Sequence, residues 1–336
     1  MKMLKELCLL NGISGREKAV REYIISKIPT DCKYSVDALG NVIVEKSGKS
    51  RASKKVMLSA HMDEVGFMVS YITDDGYIKI APVGGIDERV VFGRRVKVAD
   101  IYGVIGAKAL HHLSSDELYK VPKIEDMYVD IGAQSRKQAE EYVSLGDEVC
   151  FVSEYLEFGD GFIKSKALDD RVGCQILLDI LSRDQPYDLT VCFVVQEEIG
   201  TRGAAVAAYS VAPDYAIVLE GTTAADLPDT PDQKKVCKLG NGAVVSFMDR
   251  GTVYDVELYK RAFELAEKNG IKCQTKTVVA GGNDAAAIHK SGKGVRTAAI
   301  SVPTRYIHSQ SCVAKKEDIE AVEKLAECLA RELAND

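Results

Sequence analysis

Apolar residues along this chain follow two rhythms. In VMLSAH (56–61), LTVCFVV (189–195), YAIVL (215–219) and TAAISVP (297–303) they are nearly continuous. Such runs predict strands buried on both faces of a largely parallel sheet. Between and after them, DDRVGCQILLDILSR, TRGAAVAAYSV, VYDVELYKRAFELAEKNG and KKEDIEAVEKLAECLARELAND carry helical patterning. Strands alternating with helices imply an α/β fold whose sheet is covered by helices. Residues 1–28 read as two short helices broken at Asn11-Gly12, with Ser14 as the N-cap of the second. YSVDALGNVIVEKSG reads as a hairpin turning at Leu39-Gly40-Asn41.

The second rhythm occupies the middle. FMVSYITDDGYIKIAPVGG, RRVKVADIYGVIGAKAL and DEVCFVSEYLEFGDGFIKS are short, alternating and punctuated by glycine, as in a small β-barrel or sandwich. The economical arrangement is one α/β domain built from residues 1–66 and 163–336, with a small all-β domain inserted at 67–162.

Composition narrows the function. A net charge of −6 without a basic block argues against a nucleic-acid partner. No run approaches a membrane span, and charges interrupt the N-terminal apolar residues throughout, so no signal peptide is expected. Nine cysteines, scattered singly with no CxxC pair, suggest reduced thiols in a cytoplasmic protein.

The candidate chemistry lies just beyond the buried strands. VMLSA ends in His61, with Asp63 two residues on; LTVCFVV is followed by Gln196, Glu197 and Glu198; YAIVL by Glu220; and TAAISVP, a few residues later, by His308. Asp169 and Asp170 precede the helix that leads into LTVCFVV. Any one of these has an ordinary reading as a solvated loop residue, but open α/β sheets form their sites beyond the carboxyl ends of the strands. His289 reads as a satisfied helix residue, and the His111-His112 pair as surface or interface.

Histidine nitrogens with carboxylate oxygens suit Zn²⁺, Co²⁺ or Mn²⁺, and the absence of a thiolate set disfavours a closed structural zinc. Two such ions about 3.5–4 Å apart can hold a hydroxide between them and polarise a carbonyl. One carboxylate must then bridge, and another, not ligating, must act as general base. On this reading Glu198 ligates and Glu197 faces the water, so metal charge explains the adjacent glutamates.

SAHMDEVGFMV, KALDDRVG, VQEEIGTRGA, VLEGTTAADLP and GGNDAAAIHKSGKGVRTAAISVPTRYIHS, in this order across nearly the whole chain, resemble the cytosolic co-catalytic metallo-aminopeptidases that assemble as tetrahedral particles. That family includes glutamyl, leucyl-type and deblocking aminopeptidases, and some members carry an endoglucanase label. The resemblance implies that His61 and Glu220 hold one metal, Glu198 and His308 the other, and Asp169 both, across a cis Asp169–Asp170 peptide. It implies Glu197 as base and Asp63 as the hydrogen-bonding partner that fixes the tautomer of His61. It also implies dimer contacts through the inserted domain, dimers building a hollow dodecamer, and peptides as substrates. Two departures stand out: many members have aspartate in place of Glu220 and threonine in place of Asn283.

Three other functions compete. A related di-metal deacylase or carboxypeptidase would use the same centre. A glycan hydrolase would leave the histidines idle, and this chain has no Trp to stack sugars. A non-catalytic assembly protein would not need Glu197.

Overall fold

The computed structural model describes residues 2–336. Its largest sheet has eight strands, ordered Lys33–Val36, Val42–Lys46, Leu189–Val194, Val56–His61, Tyr215–Thr223, Arg296–Thr304, Ala243–Val245 and Cys273–Thr275. The four central strands, from Leu189–Val194 to Arg296–Thr304, run parallel. The strand next to them on each side is antiparallel.

The period-2 geometry of a strand explains why these runs are apolar throughout. Val191, Phe193, Leu58, Ala60, Ile217 and Leu219 enter one core cluster, together with residues of helices Lys2–Leu9, Leu168–Leu181, Val256–Lys268 and Lys316–Leu333. Their neighbours Cys192, Val194, Met57, Ala216 and Val218 face the opposite side. There helix Arg202–Val211 packs closely through Ala204, Ala207 and Ala208.

Six strands between Gly66 and Phe151 close into a barrel with its own core, in which Phe67 and Phe151 meet edge-on at 5.4 Å. Leu156–Phe158 and Phe162–Ser165 share the alternating texture of the barrel strands but lie outside it. They pair antiparallel, and the second also pairs with Cys312–Lys315, forming a separate three-stranded sheet.

One local expectation needs correction. Ser14 does not cap the second helix, which begins at Lys18 behind Glu17; its hydroxyl donates instead to Asp63 at 2.6 Å. The strands Ala243–Val245 and Cys273–Thr275 have only three residues each, too few for a visible period. Among the described residues, no helix is long and apolar enough to cross a membrane.

Candidate metal centre

The parallel strands bring the acidic and histidine residues to one edge. His61 ends its strand opposite Val194, so Glu197 and Glu198 emerge beside it three and four residues later. Glu220 lies within its strand, in register with Ser301. His308 follows strand Arg296–Thr304 by four residues, and Asp169 opens helix Leu168–Leu181 in a non-helical conformation. The Asp169–Asp170 peptide is cis. Asp169 rests on Gly221, where a β-carbon would come within 2.9 Å of its side chain, so only glycine fits.

The geometry centres on Asp169. Its Oδ1 is 3.4 Å from His61 Nε2, and its Oδ2 is 3.6 Å from His308 Nε2. Each histidine faces a second carboxylate: His61 Nε2 is 3.1 Å from Glu220 Oε1, and His308 Nε2 is 3.2 Å from Glu198 Oε2. Asp169 Oδ1 and Glu220 Oε2 are buried without a hydrogen-bond partner among the described residues. Two groups of side chains offer ligand atoms within 4.8 Å of one another: His61, Asp170 and Glu220, and His61, Asp169 and Glu198. In the first, Asp170 is already engaged, accepting from the backbone amides of Gly173 at 3.1 Å and His61 at 3.3 Å. Asp169 has the open oxygen and is the better donor to a shared ion. This donor set, all imidazole and carboxylate with orphaned oxygens, fits divalent cations.

Asp63 has a part that sequence reasoning missed. Its carboxylate accepts the backbone amides of Glu197 at 3.0 Å and Glu198 at 3.1 Å, besides lying 3.4 Å from His61 Nδ1. The closer partner of that imidazole nitrogen is the Asp63 carbonyl, at 3.1 Å. Asp63 therefore ties the histidine to the glutamate pair. His308 Nδ1 is held by the Gly85 carbonyl at 2.6 Å, so a loop of the barrel orients this histidine. Gln196, Tyr306 and His308 all have φ between 56° and 59°, a sparsely populated conformation for residues other than glycine.

The electrostatics are unbalanced. Burial, joined by repulsion from Asp169 and Asp63 and opposed by His61, pushes the Glu197 carboxyl up to about 7. Burial likewise holds Glu198 and Glu220 well above the ordinary range. Asp169 lies low despite its burial, because both histidines face it. Burial pulls His308 down, but its contact with Asp169 and the charges of Glu198 and Asp169 outweigh this and hold it at about 9. Asp284, also buried and with neither oxygen partnered among the described residues, adds to the acid excess. Without cations, the cluster can neutralise itself only by taking up protons.

Next to it, Glu64 meets Lys166 and Arg171, all three buried. Arg171 also donates to the carbonyls of Met62 and Leu7. This cluster locks the turn after His61 to the start of the Asp169 helix. The residues are about a hundred positions apart, so no spacing announces them.

Asn283 accepts the Ala285 amide at 2.9 Å and donates to the Tyr254 hydroxyl at 3.0 Å, a local structural role. His289 contacts the Ala285 carbonyl at 2.7 Å, and the exposed His111 and His112 rings lie tilted to one another with centroids 4.2 Å apart. None of the three histidines joins the centre. A cavity of about 490 Å³ opens onto Asp169, Glu197, Glu198, Glu220 and His308. A larger cleft of about 850 Å³, beside Arg16 and Tyr102, contains none of these groups.

The M42 glutamyl aminopeptidase family matches the chain over residues 40–325. The lysyl aminopeptidase of Pyrococcus furiosus is 32% identical, covering 98% of this chain and 96% of that one. The glutamyl aminopeptidase of Lactococcus lactis subsp. cremoris is also 32% identical, covering 94% and 91%. The TET1 peptidase of Pyrococcus horikoshii, described as assembling into a tetrahedron or a large octahedral shell, superposes with a TM-score of 0.88 at 36% identity, covering 99% of each chain. The chain belongs to the M42 glutamyl aminopeptidase family and is a hydrolase of peptide bonds.

Proposed function

We propose that this protein removes N-terminal residues from peptides at a centre for two divalent cations, Zn²⁺, Co²⁺ or Mn²⁺. His61 and Glu220 hold one, Glu198 and His308 hold the other, and Asp169 is shared. The observation that carries this is the placement of the two Asp169 oxygens, each facing a different histidine that is itself paired with a different glutamate.

When bound, the cations supply Lewis-acid polarisation of the scissile carbonyl and acidify the attacking water. Glu197 takes the proton from that water and delivers it to the departing amine as the carbon–nitrogen bond breaks. Asp63 keeps Glu197 and Glu198 in place through their amides and, through its carbonyl, favours the His61 tautomer whose Nε2 is free to ligate.

The region 67–162 is the proposed dimerisation domain, with dimers building a dodecamer like those of solved relatives. Exposed Tyr102, Leu110 and Tyr119 support self-association through this region. Nine free thiols fit a reducing, cytoplasmic compartment.

The test is a panel of unblocked and N-acylated peptides and anilides, assayed after chelation and after reloading with each metal. Hydrolysis of unblocked substrates alone, lost with chelator and restored by metal, supports an aminopeptidase. Turnover of acylated substrates alone replaces it with a deacylase.

A further inference from the structure

The two proposed cation sites are carried by different kinds of backbone. His61 and Glu220 belong to parallel strands of the large sheet, where they are in register with Val194 and Ser301. Glu198 and His308 lie four residues beyond the strands Leu189–Val194 and Arg296–Thr304. Asp63 steadies the first of these two through its amide, at 3.1 Å. The backbone that presents His308 needs a hold of its own. Tyr306 and His308 both have positive φ, a conformation that persists in residues other than glycine only where the surroundings enforce it.

That hold is built at Arg305. Its amide donates to the Val313 carbonyl at 2.8 Å and its carbonyl accepts the Val313 amide at 3.0 Å, so residues 305–313 form a loop closed at its base. Its guanidinium makes a forked pair with Asp226: Nε donates to Oδ1 and Nη2 to Oδ2, each at 2.7 Å. Two parallel charge-assisted bonds fix direction as well as distance. Asp226 comes three residues after the strand that carries Glu220, and its Oδ2 also accepts the Leu239 amide at 3.1 Å. Between the two strands, the Ala224 amide donates to the Thr304 carbonyl at 2.9 Å, so both chains leave the sheet side by side. The pair therefore ties the exit of the Glu220 strand to the loop of His308. Tyr306, Ile307 and His308 line the cavity at the metal centre, whereas Arg305 does not.

We infer that the Arg305–Asp226 pair controls occupancy of the Glu198–His308 cation site, by holding the His308 loop against the strand that carries Glu220. The inference rests on the two-cation reading and assigns a control to one half of it. Arg305 is a positioning residue: it acts through the backbone of His308 and takes no part in the bond-breaking step. Without the fork, His308 ranges over more positions and the site it shares with Glu198 loses affinity, as when the outer partner of a metal ligand is removed. The His61–Glu220 site keeps its affinity, because the ladder of the sheet holds both of its ligands.

The experiment titrates Co²⁺ into the metal-free protein and follows visible absorption in the wild type, Arg305→Met and Arg305→Lys, with His61→Ala and His308→Ala as references for one damaged site. In Arg305→Met one equivalent is expected to bind as in the wild type and the other roughly 10–100-fold more weakly. The spectrum at one equivalent should match that of His308→Ala and not that of His61→Ala. Arg305→Lys keeps the charge without the fork and should fall between wild type and Arg305→Met; it carries the comparison if Arg305→Met does not fold. Peptidase kcat in Arg305→Met should recover as Co²⁺ is raised, with the half-activating concentration shifted by the same factor, which a general loss of stability would not produce. Wild-type affinity at both sites, or equal weakening of both, overturns the inference. A second readout needs neither metal nor turnover: hydrogen exchange in the metal-free protein at the amides of Arg305, Ser311 and Val313, the donors that close the loop. Exchange there should rise roughly tenfold or more in Arg305→Met, with the strand amides of residues 58–61 unchanged; unchanged exchange in the loop overturns the inference. A wild type that binds one ion or none defeats the two-cation reading, and the exchange measurement then decides by itself whether Arg305 positions His308.

Discussion

His61 and Glu64 lie three residues apart at the end of one strand, yet their side chains enter buried clusters of opposite kinds. Glu64 meets Lys166 and Arg171; Lys166 also donates to the Leu10 carbonyl, and Arg171 donates through Nε and Nη1 to the carbonyls of Met62 and Leu7. In that cluster every charge has a partner of opposite sign within the chain. His61 enters a group in which Asp63, Asp169, Asp170, Glu197, Glu198 and Glu220 face only two histidines. Among the described residues, these two histidines do not balance that acid. Buried charge paired within the chain locks segments together, whereas a buried excess of acid marks where something from outside can bind.

If this contrast is right, damage to the two clusters should separate cleanly. The largest effect on activity is expected from Asp169→Asn, which removes the charge facing both histidines; peptidase turnover should drop to background, while urea unfolding followed by circular dichroism still shows a cooperative fold. Glu197→Gln should come next, with a loss of about 10²–10⁴-fold in kcat while bound metal, counted by elemental analysis, stays at the wild-type level. Metal retention with near-normal kcat would remove Glu197 from the role of base.

On the other side of the comparison, Arg171→Met leaves Glu64 with one cation fewer and the carbonyls of Met62 and Leu7 without their donor. A stability loss of about 3–5 kcal/mol is expected, read from denaturant midpoints, and of similar size with and without chelator. A loss that disappears in chelator would mean that Arg171 acts through the metal centre.

The smallest effect concerns protons. In the metal-free protein His308 sits at about 9, above its ordinary 6.5. Its protonated form therefore contributes stability that is complete below about 6.5 and is lost as pH rises through 9. Metal must displace that proton, so calorimetry in buffers of different ionisation enthalpy should detect proton release near pH 7.5, with affinity rising toward pH 9. Affinity independent of pH across this window would show that His308 does not ligate.

Much of the sheet edge was legible in the sequence, because a strand buried on both faces is a continuous apolar run and its first polar residues are conspicuous. His61, Glu197, Glu198 and Glu220 could be found this way. What stayed hidden has physical reasons. Glu64, Lys166 and Arg171 pair across about a hundred residues and leave no periodic trace. The amides that Asp63 holds belong to the backbone, which a residue string does not describe. Three-residue edge strands such as Ala243–Val245 and Cys273–Thr275 are too short to alternate. The strands Leu156–Phe158 and Phe162–Ser165 have the same pattern as barrel strands, and only their pairing with Cys312–Lys315 separates them.

The central claim is that the unbalanced acid cluster holds two cations around one shared carboxylate. The most direct measurement is metal bound per chain, by elemental analysis after dialysis, in the wild type and in Asp169→Asn. Two equivalents in the wild type and loss of both in the variant are the predicted result. Two equivalents retained without the Asp169 charge, or a wild type that saturates at one, would contradict it.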